Sequence, residues 1–475
     1  MLLPAVAQTA PRMSPAVKKY VSVDSPMFAL THVRVIDGTG APARDDQTIF
    51  VSEGKIQRIG DTASVQPPQG ATVLDKHGYT VIPGLVGMHD HLYYTASLNR
   101  DDKGGLPPPG FFINEIPFTA PLLYLACGVT TMRTTGSLEP YTDANLKQDI
   151  EKGLMAGPKM DISAPYLEGK GGGAIFPQMH ELTGPDDARN MVDFWTGQGF
   201  TSLKAYMHIT HDELAAAIDE GHKKGVKLTG HLCSVGFREA AELGIDDLEH
   251  GLMVDTEFTP NKKQDVCPSG RDANAALAKL EVNGPEIQQT IHTLVQRHVA
   301  VTSTLPVFEG FVPNRPPLQE RVLDAMSPES RVSYLTARAR IPANSPTTAL
   351  FKKEMQFELA FAKAGGLLLA GPDPTGNGAT LPGFGDQREL ELLVEAGFTP
   401  VEAIRIYTLN GAQYMGRQDR IGTLAEGKEA DMVLINGNPA ANIADVEKVE
   451  TVFKDGIGYD SAKLIESVRG QVGIR

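Results

Sequence analysis

Three cysteines in 475 residues, Cys127, Cys233 and Cys267, are too few and too odd in number for a disulfide framework or a thiolate metal cluster. Any metal held by this chain must therefore use His and carboxylate ligands. No apolar run reaches the roughly 18 residues that a membrane-spanning helix needs, so no membrane partner is expected. Long basic runs are missing too, and the formal net charge is −14. That argues against nucleic acid as the main partner, because phosphate binding needs clustered Lys and Arg. A small anionic substrate is compatible with it, since a bound metal makes its own site locally positive.

The opening Met1-Leu2-Leu3-Pro4-Ala5-Val6-Ala7-Gln8 carries the small-x-small Ala5-Val6-Ala7 of a signal cleavage site but has no basic n-region. A trimmed signal would mean export, to a periplasm. A disordered tail would leave the protein cytoplasmic.

What is present supports a sizeable core, with 41% hydrophobic residues and length enough for one large domain and a smaller one. From Met27 to Val81 the chain reads as short strands broken by turns: Ala29 to Ile36, the Asp37-Gly38 turn, Thr48 to Val51, Lys55 to Ile59 and Thr72 to Asp75. Ala430 to Ile435 and Val449 to Phe453 have the same character. Neither piece is long enough for a good core alone, so both ends are expected to join in one small β-sandwich.

Between them strands and helices alternate. Strand candidates end at His89–His91, then run Val129–Arg133, Met160–Ser163, Ser202–Tyr206, Val226–His231, Asp247–His250, Ala300–Thr304 and Gly366–Ala370. Helical patterns lie between, among them Asn145 to Met155, Ala188 to Trp195, Asp212 to Lys224, Ile287 to Arg297 and Thr347 to Ala364. Thr210 and Glu213 make a capping box for one of them. The pattern predicts an α/β fold, a (β/α)8 barrel with a small β-sandwich built from both chain ends. The division is residues 1–26 as signal remnant or tail, 27–82 and 417–475 as the two parts of the sandwich with a C-terminal tail, and 83–416 as barrel. Insertions at Asp101 to Asn114, Asp255 to Gly284 and Gly310 to Ala343 follow strands and are expected as lids or pocket walls on the C-terminal face.

His89 and His91 carry the first chemical signal. Residues at i and i+2 of a strand face the same way, so the two imidazoles converge as half of a divalent-metal site. Lys204, His231 and His250 lie at the ends of the fourth, fifth and sixth strands, and Asp373 follows the eighth. Each alone has an ordinary explanation: a hydrogen-bonded His, a snorkelling Lys, a turn Asp. Six at the same end of their strands converge over one mouth.

These residues resemble the amidohydrolase superfamily of metal-dependent hydrolases. The resemblance runs from Met27 to Tyr459 and rests on Pro83-Gly84-Leu85 leading into His89-Asp90-His91, on Lys204, His231, Glu249-His250-Gly251 and Asp373, and on Ile421-Gly422-Thr423-Leu424-Ala425-Glu426-Gly427 through Val433. Within it the chain looks most like the imidazolonepropionase-like branch of dipeptidases, prolidase-type carboxypeptidases and ochratoxin-type amidases.

The resemblance implies two divalent ions, by default Zn2+, with His89, His91 and Asp373 on one, His231 and His250 on the other, and N-carboxylated Lys204 bridging both. It implies a bridging hydroxide that attacks an amide carbonyl, with Asp373 as the acid–base group. The substrate would be a small N-acyl amino acid or dipeptide, ochratoxin-like N-acyl phenylalanines included. A cyclic amide or a lactone is the alternative on the same centre. The resemblance also suggests a homo-oligomer. Tyr206, which shares the facing of Lys204, and His180 and Arg133, after the third strand and ending the second, are candidate substrate contacts; a structural ion pair is the favoured role of Arg133, and packing at the barrel rim the alternative for Tyr206. Superfamily deaminases carry a Glu three residues after the strand-five His, where this chain has Ser234. A His that relatives often carry beyond the strand-eight Asp is missing from Thr380 to Asp386.

Overall fold

Strand-forming runs at the two ends of the chain find each other across more than 350 residues. The computed structural model describes residues 13–96, 112–172, 178–316, 318–375 and 380–473. Its first strands are β1 (Val21–Val23), β2 (Met27–Val35), β3 (Arg44–Ser52), β4 (Lys55–Asp61), β5 (Thr72–Asp75) and β6 (Thr80–Pro83). Then come β7 (Leu85–Asp90), β8 (Tyr93–Ala96), β9 (Phe112–Glu115), β10 (Val129–Thr134), β11 (Lys159–Asp161), β12 (Ser202–Ala205) and β13 (Lys227–Gly230). The remainder are β14 (Asp247–Glu249), β15 (Ala300–Ser303), β16 (Leu368–Ala370), β17 (Met432–Ile435), β18 (Val449–Lys454) and β19 (Ile457–Asp460).

The terminal strands form one nine-stranded sheet in the order β1-β19-β18-β17-β6-β2-β3-β4, with β5 also on β2. Here the expected sandwich takes a different form. β6 pairs antiparallel with β17 and parallel with β2, so the hydrogen-bonded path is continuous rather than split between two sheets. The sheet curls over its own core: Phe28 of β2 stacks on Phe453 of β18 with ring centroids 5.0 Å apart, although two strands lie between them. Leu30, Ile49, Ile56, Met432 and Leu434 fill the enclosed space. Met1 to Ala7 lie outside the described residues. Residues 8–12 lie outside them too, while from Met13 on the expected tail is structured: Pro15–Lys18 is helical, capped by Ser14, and β1 pairs with β19, so Val21 and Val23 are held by the C-terminal strands.

The middle of the chain forms two parallel arcs, β11-β10-β7 and β12-β13-β14-β15-β16. An isolated bridge between Ser163 and Ser202 links β11 to β12, and the Asp373 amide donates to the His89 carbonyl at 3.0 Å where β16 meets β7. That second approach is tight enough to require glycine, since a Cβ on Gly371 would lie 2.2 Å from the His89 nitrogen. The strands of the arcs are almost wholly buried, as parallel strands covered by helices must be. Helices Pro140–Glu151, Pro185–Gly197, His211–Lys223, Pro285–Gln296 and Thr347–Lys363 alternate with them. The Thr210–Glu213 capping box forms and starts the third of these, whose Leu214, Ala217 and Ile218 are buried.

The insertions after β14 and β15 carry helices of their own, Gly270–Leu277 and Pro328–Ala339. Residues 101–111 of the first insertion lie outside the described residues, and Phe112–Glu115 pairs with Tyr93–Ala96. The cysteine expectation needs correction, because Cys233 and Cys267 form a disulfide with Cα atoms 4.9 Å apart. Cys233 follows β13 and Cys267 lies in the insertion after the neighbouring β14, which folds back over the end of β13. The Thr256 hydroxyl donates to the Cys233 carbonyl and fixes that return. Cys127 is buried and free. Among the described residues no helix is long and apolar enough to cross a membrane.

Candidate metal centre

A period of two puts His89 and His91 on one face, and β7 ends between them, at Asp90. Lys204 stands on β12, and His231 directly follows β13. His250 directly follows β14 with φ 70°, and Asp373, beyond β16, has φ 49°. These left-handed conformations are costly for residues with a Cβ. They explain why His250 reaches the mouth although Glu249, one residue earlier, points into the protein below it. All six side chains line one cavity of about 240 Å3.

Within it Asp373 is central. One carboxylate oxygen lies 3.3 Å from His91 Nε2 and 3.7 Å from His89 Nε2, and the other lies 3.9 Å from His250 Nδ1. The ligand atoms of His89, His91 and Asp373 all lie within 4.8 Å of one another, the arrangement of a metal site. The His231 and His250 rings stand beside this group, centroids 4.4 Å apart, and His250 is 4.6 Å from His89. Lys204 is 1% exposed and its Nζ has no hydrogen-bond partner. The nearest carboxylate is an oxygen of Glu249 at 3.8 Å.

Burial sets the protonation of this group. It pulls the Lys204 ammonium down to about 8, against the opposing attraction of Glu249 and Asp373. It pushes His231 down to about 3, with Lys204 adding to the shift, and lowers His89 and His250 as well. Burial opposes ionisation of Asp373, yet the surrounding His89, His91 and Lys204 hold its carboxyl well below the usual range. Neutral imidazoles, an ionised carboxylate and a buried amine whose deprotonation burial eases are a donor set that fits divalent metal. The unpartnered Lys204 Nζ and His91 Nδ1 point the same way, since buried polar atoms rarely go unsatisfied.

A layer beneath orients the ligands. Glu249 accepts from His89 Nδ1 at 2.6 Å, and its other oxygen takes Arg133 at 2.9 Å and the Thr229 hydroxyl. Thr304 lies 2.8 Å from His250 Nδ1. Such partners fix the ring tautomer that presents Nε2 to a metal. The sequence marks Glu249 only as the neighbour of His250; its facing, shared with Asp247, is the signal that could have found it.

Two expected substrate contacts are not in the cavity. Arg133 is 1% exposed and spans Asp247, Glu249 and the Met88 carbonyl, one layer below the mouth. His180 is exposed and pairs with Asp187 at 3.0 Å, in the first turn of the helix Pro185–Gly197. Tyr206 does line the cavity, its ring 5.1 Å from His231. Tyr93 and Tyr166, hydroxyl to hydroxyl, line it as well and were not read from sequence. Tyr93 follows His91 by two residues and stacks on it at 4.5 Å.

The Amidohydrolase family matches residues 383–457. Imidazolonepropionase of Stenotrophomonas maltophilia (strain R551-3) is 23% identical over 458 residues, which cover 94% of this chain and 96% of that protein. A solved Xaa-Pro dipeptidase with bound methionine superposes with TM-score 0.67 at 18% identity, over 91% of this chain and 100% of its own. The ochratoxinase of A. niger superposes with TM-score 0.66 at 18% identity, over 94% of this chain and 100% of its own. The chain shares its fold with these structures over nine-tenths of its length, and its C-terminal part carries the sequence signature of the Amidohydrolase family.

Proposed function

We propose that this protein is a metal-dependent hydrolase of small amides, with an N-acyl amino acid or peptide-like bond as its target. The observation that carries the reading is the meeting of His89, His91, Lys204, His231, His250 and Asp373 in one cavity, with the Lys204 amine buried and unpartnered. The two arcs, with their links at Ser163–Ser202 and Asp373–His89, support a closed eight-stranded barrel over about residues 83–416. The terminal sheet makes the second domain.

His89, His91 and Asp373 would hold one divalent ion, and His231 and His250 a second. Lys204 has the properties needed to take up carbon dioxide and become an anionic carbamate that would help hold both ions. Bound there, the ions would supply Lewis-acid polarisation of the carbonyl and a water of lowered pKa. The chain supplies the rest. Asp373 takes the proton of the attacking water and delivers it to the departing amine nitrogen as the C–N bond breaks and the new C–O bond forms. Tyr206 and the Tyr93–Tyr166 pair border the same space with hydroxyl donors for the carbonyl or its neighbours.

The test is amine release by purified, zinc-loaded protein across dipeptides and N-acyl amino acids. Release that stops on chelation and returns with metal supports the reading. A protein that binds two metals and releases no amine from any member would overturn it.

A further inference from the structure

The two halves of the proposed metal centre are supported unequally. Behind His89 stands a charged assembly. The buried Glu249 accepts from His89 Nδ1 at 2.6 Å, and its other oxygen is held by Arg133 at 2.9 Å and by the Thr229 hydroxyl. Arg133 in turn donates to the Met88 carbonyl and to Asp247, both at 2.8 Å. One guanidinium thus lies between two carboxylates, and the formal negative charge left over faces His89. Asp373 adds a carboxylate oxygen on the open side, 3.3 Å from His91 Nε2 and 3.7 Å from His89 Nε2. The other half has neutral support. His250 Nδ1 meets the Thr304 hydroxyl at 2.8 Å, with the nearest Asp373 oxygen farther off at 3.9 Å. His231 packs edge-on against the rings of Tyr206 and His250. Lys204, as the ligand expected to be common to both ions, does not separate them.

We propose that the two metal positions differ in affinity: the ion on His89, His91 and Asp373 is held tightly, the ion on His231 and His250 exchanges, and Glu249 is the positioning residue that sets the difference. The proposal rests on the two-ion part of the reading above and needs nothing from the choice of substrate. A carboxylate on the far nitrogen of an imidazole fixes the tautomer and makes the near nitrogen a stronger donor. A hydroxyl orients the ring but brings no charge. Buried charge is screened little by salt, so the negative charge behind His89 favours a cation in front of it. Arg133 keeps that carboxylate in place. With its other oxygen bonded twice, Glu249 is kept from turning away from His89.

The experiment is zinc loading of the metal-free, full-length protein in the presence of bicarbonate. One equivalent of zinc is added, and anomalous diffraction from crystals of that protein locates it. The ion is expected at His89, His91 and Asp373. Equal density at the two positions, or more at His231 and His250, overturns the proposal. In competition with a chromophoric chelator the two dissociation constants should differ by about tenfold or more. Glu249→Gln keeps the shape and removes the charge. It should weaken the tight step by about 10- to 100-fold, the usual cost of losing such a partner, and leave the weaker step nearly unchanged. Glu249→Asp should recover part of the loss. Equal losses at both steps would make Glu249 a merely structural residue and overturn its role. Thr304→Val should weaken only the weaker step, and if Glu249→Gln does not fold, this variant and the wild-type occupancies decide. A protein that takes up a single zinc ends the two-ion reading, but the position of that ion still decides this proposal. One that takes up none overturns both.

Discussion

Two lysines in this protein sit among carboxylates, and they are used in opposite ways. Lys159, at the seam between β11 and the terminal sheet, lies 2.6 Å from Glu429, 2.9 Å from Asp431 and 2.6 Å from Asp455. Burial opposes its charge, but Asp431, Asp455 and Glu429 together hold its ammonium well above the usual range. Lys204, at the mouth, has one carboxylate at 3.8 Å and no hydrogen bond, and burial brings it down to about 8. Glu429, Asp431 and Asp455 are close enough together to hold a metal, as His89, His91 and Asp373 are. The seam cluster closes on its cation at hydrogen-bond distance, however, and the mouth cluster does not: Lys204 Nζ is 3.8 Å from its nearest carboxylate and unbonded. A group of ligands carrying its own counter-charge closes a structure. One whose polar atoms stay unpaired in the buried state is consistent with a site for an ion.

The largest effect should come from removing the mouth's carboxylate or its amine. Asp373→Asn is expected to lose about 10²- to 10⁴-fold in turnover, the range for a positioned acid–base group. Lys204→Ala should also lose its two-metal occupancy, measured by metal analysis, with partial recovery on adding a short carboxylate acid. Wild-type turnover in metal-loaded Asp373→Asn protein would break the comparison at its functional end.

Next is the disulfide that ties the segment after His231 to the insertion after β14. A crosslink spanning 34 residues is worth about 3–4 kcal/mol on loop entropy. Cys267→Ser should lower stability in denaturant titration by up to that amount, with a smaller change in turnover. No change under oxidising conditions would mean the bond does not form.

Lys159→Met attacks the other half of the comparison. Leaving three carboxylates facing an apolar group should cost about 2 kcal/mol, discounted for the partial exposure of the site. Metal content and kcat should stay at wild-type level. A loss of metal there would erase the distinction between seam and mouth. The smallest effect is expected for His180→Ala, with kcat/KM within twofold in a steady-state assay, because that ring pairs with Asp187 on the surface.

Local facing was legible in the sequence, and so was the meeting of six candidate ligands in one cavity. His89 and His91 obey the two-residue repeat, and polar groups ending apolar runs marked Lys204, His231, His250 and Asp373. Depth along a strand was not legible. Arg133 faces inward as expected, but one layer below the mouth, and a single residue of about 3.3 Å separates a substrate contact from a support. Glu249 was hidden for the same reason, as a buried carboxylate beside a His whose left-handed backbone breaks the alternation. The Cys233–Cys267 bond and the curl that brings Phe28 onto Phe453 depend on contacts between segments whose own sequences say nothing about each other. Helix positions such as His211–Lys223 were readable because their caps and apolar faces lie within a few residues.

The pairing of β6 with β17, and of β1 with β19, also has a kinetic side. The N-terminal strands leave the ribosome first but cannot complete their sheet until some of the last residues have been made. Until then β2, β3 and β6 present unpaired edges, while the arcs between them are free to assemble from strands that follow one another closely. Contacts of such long sequence separation form slowly. The terminal sheet is therefore expected to close last, and a chain stopped short of Met432 would keep its ligand residues yet expose the aggregation-prone edges of an unfinished sheet.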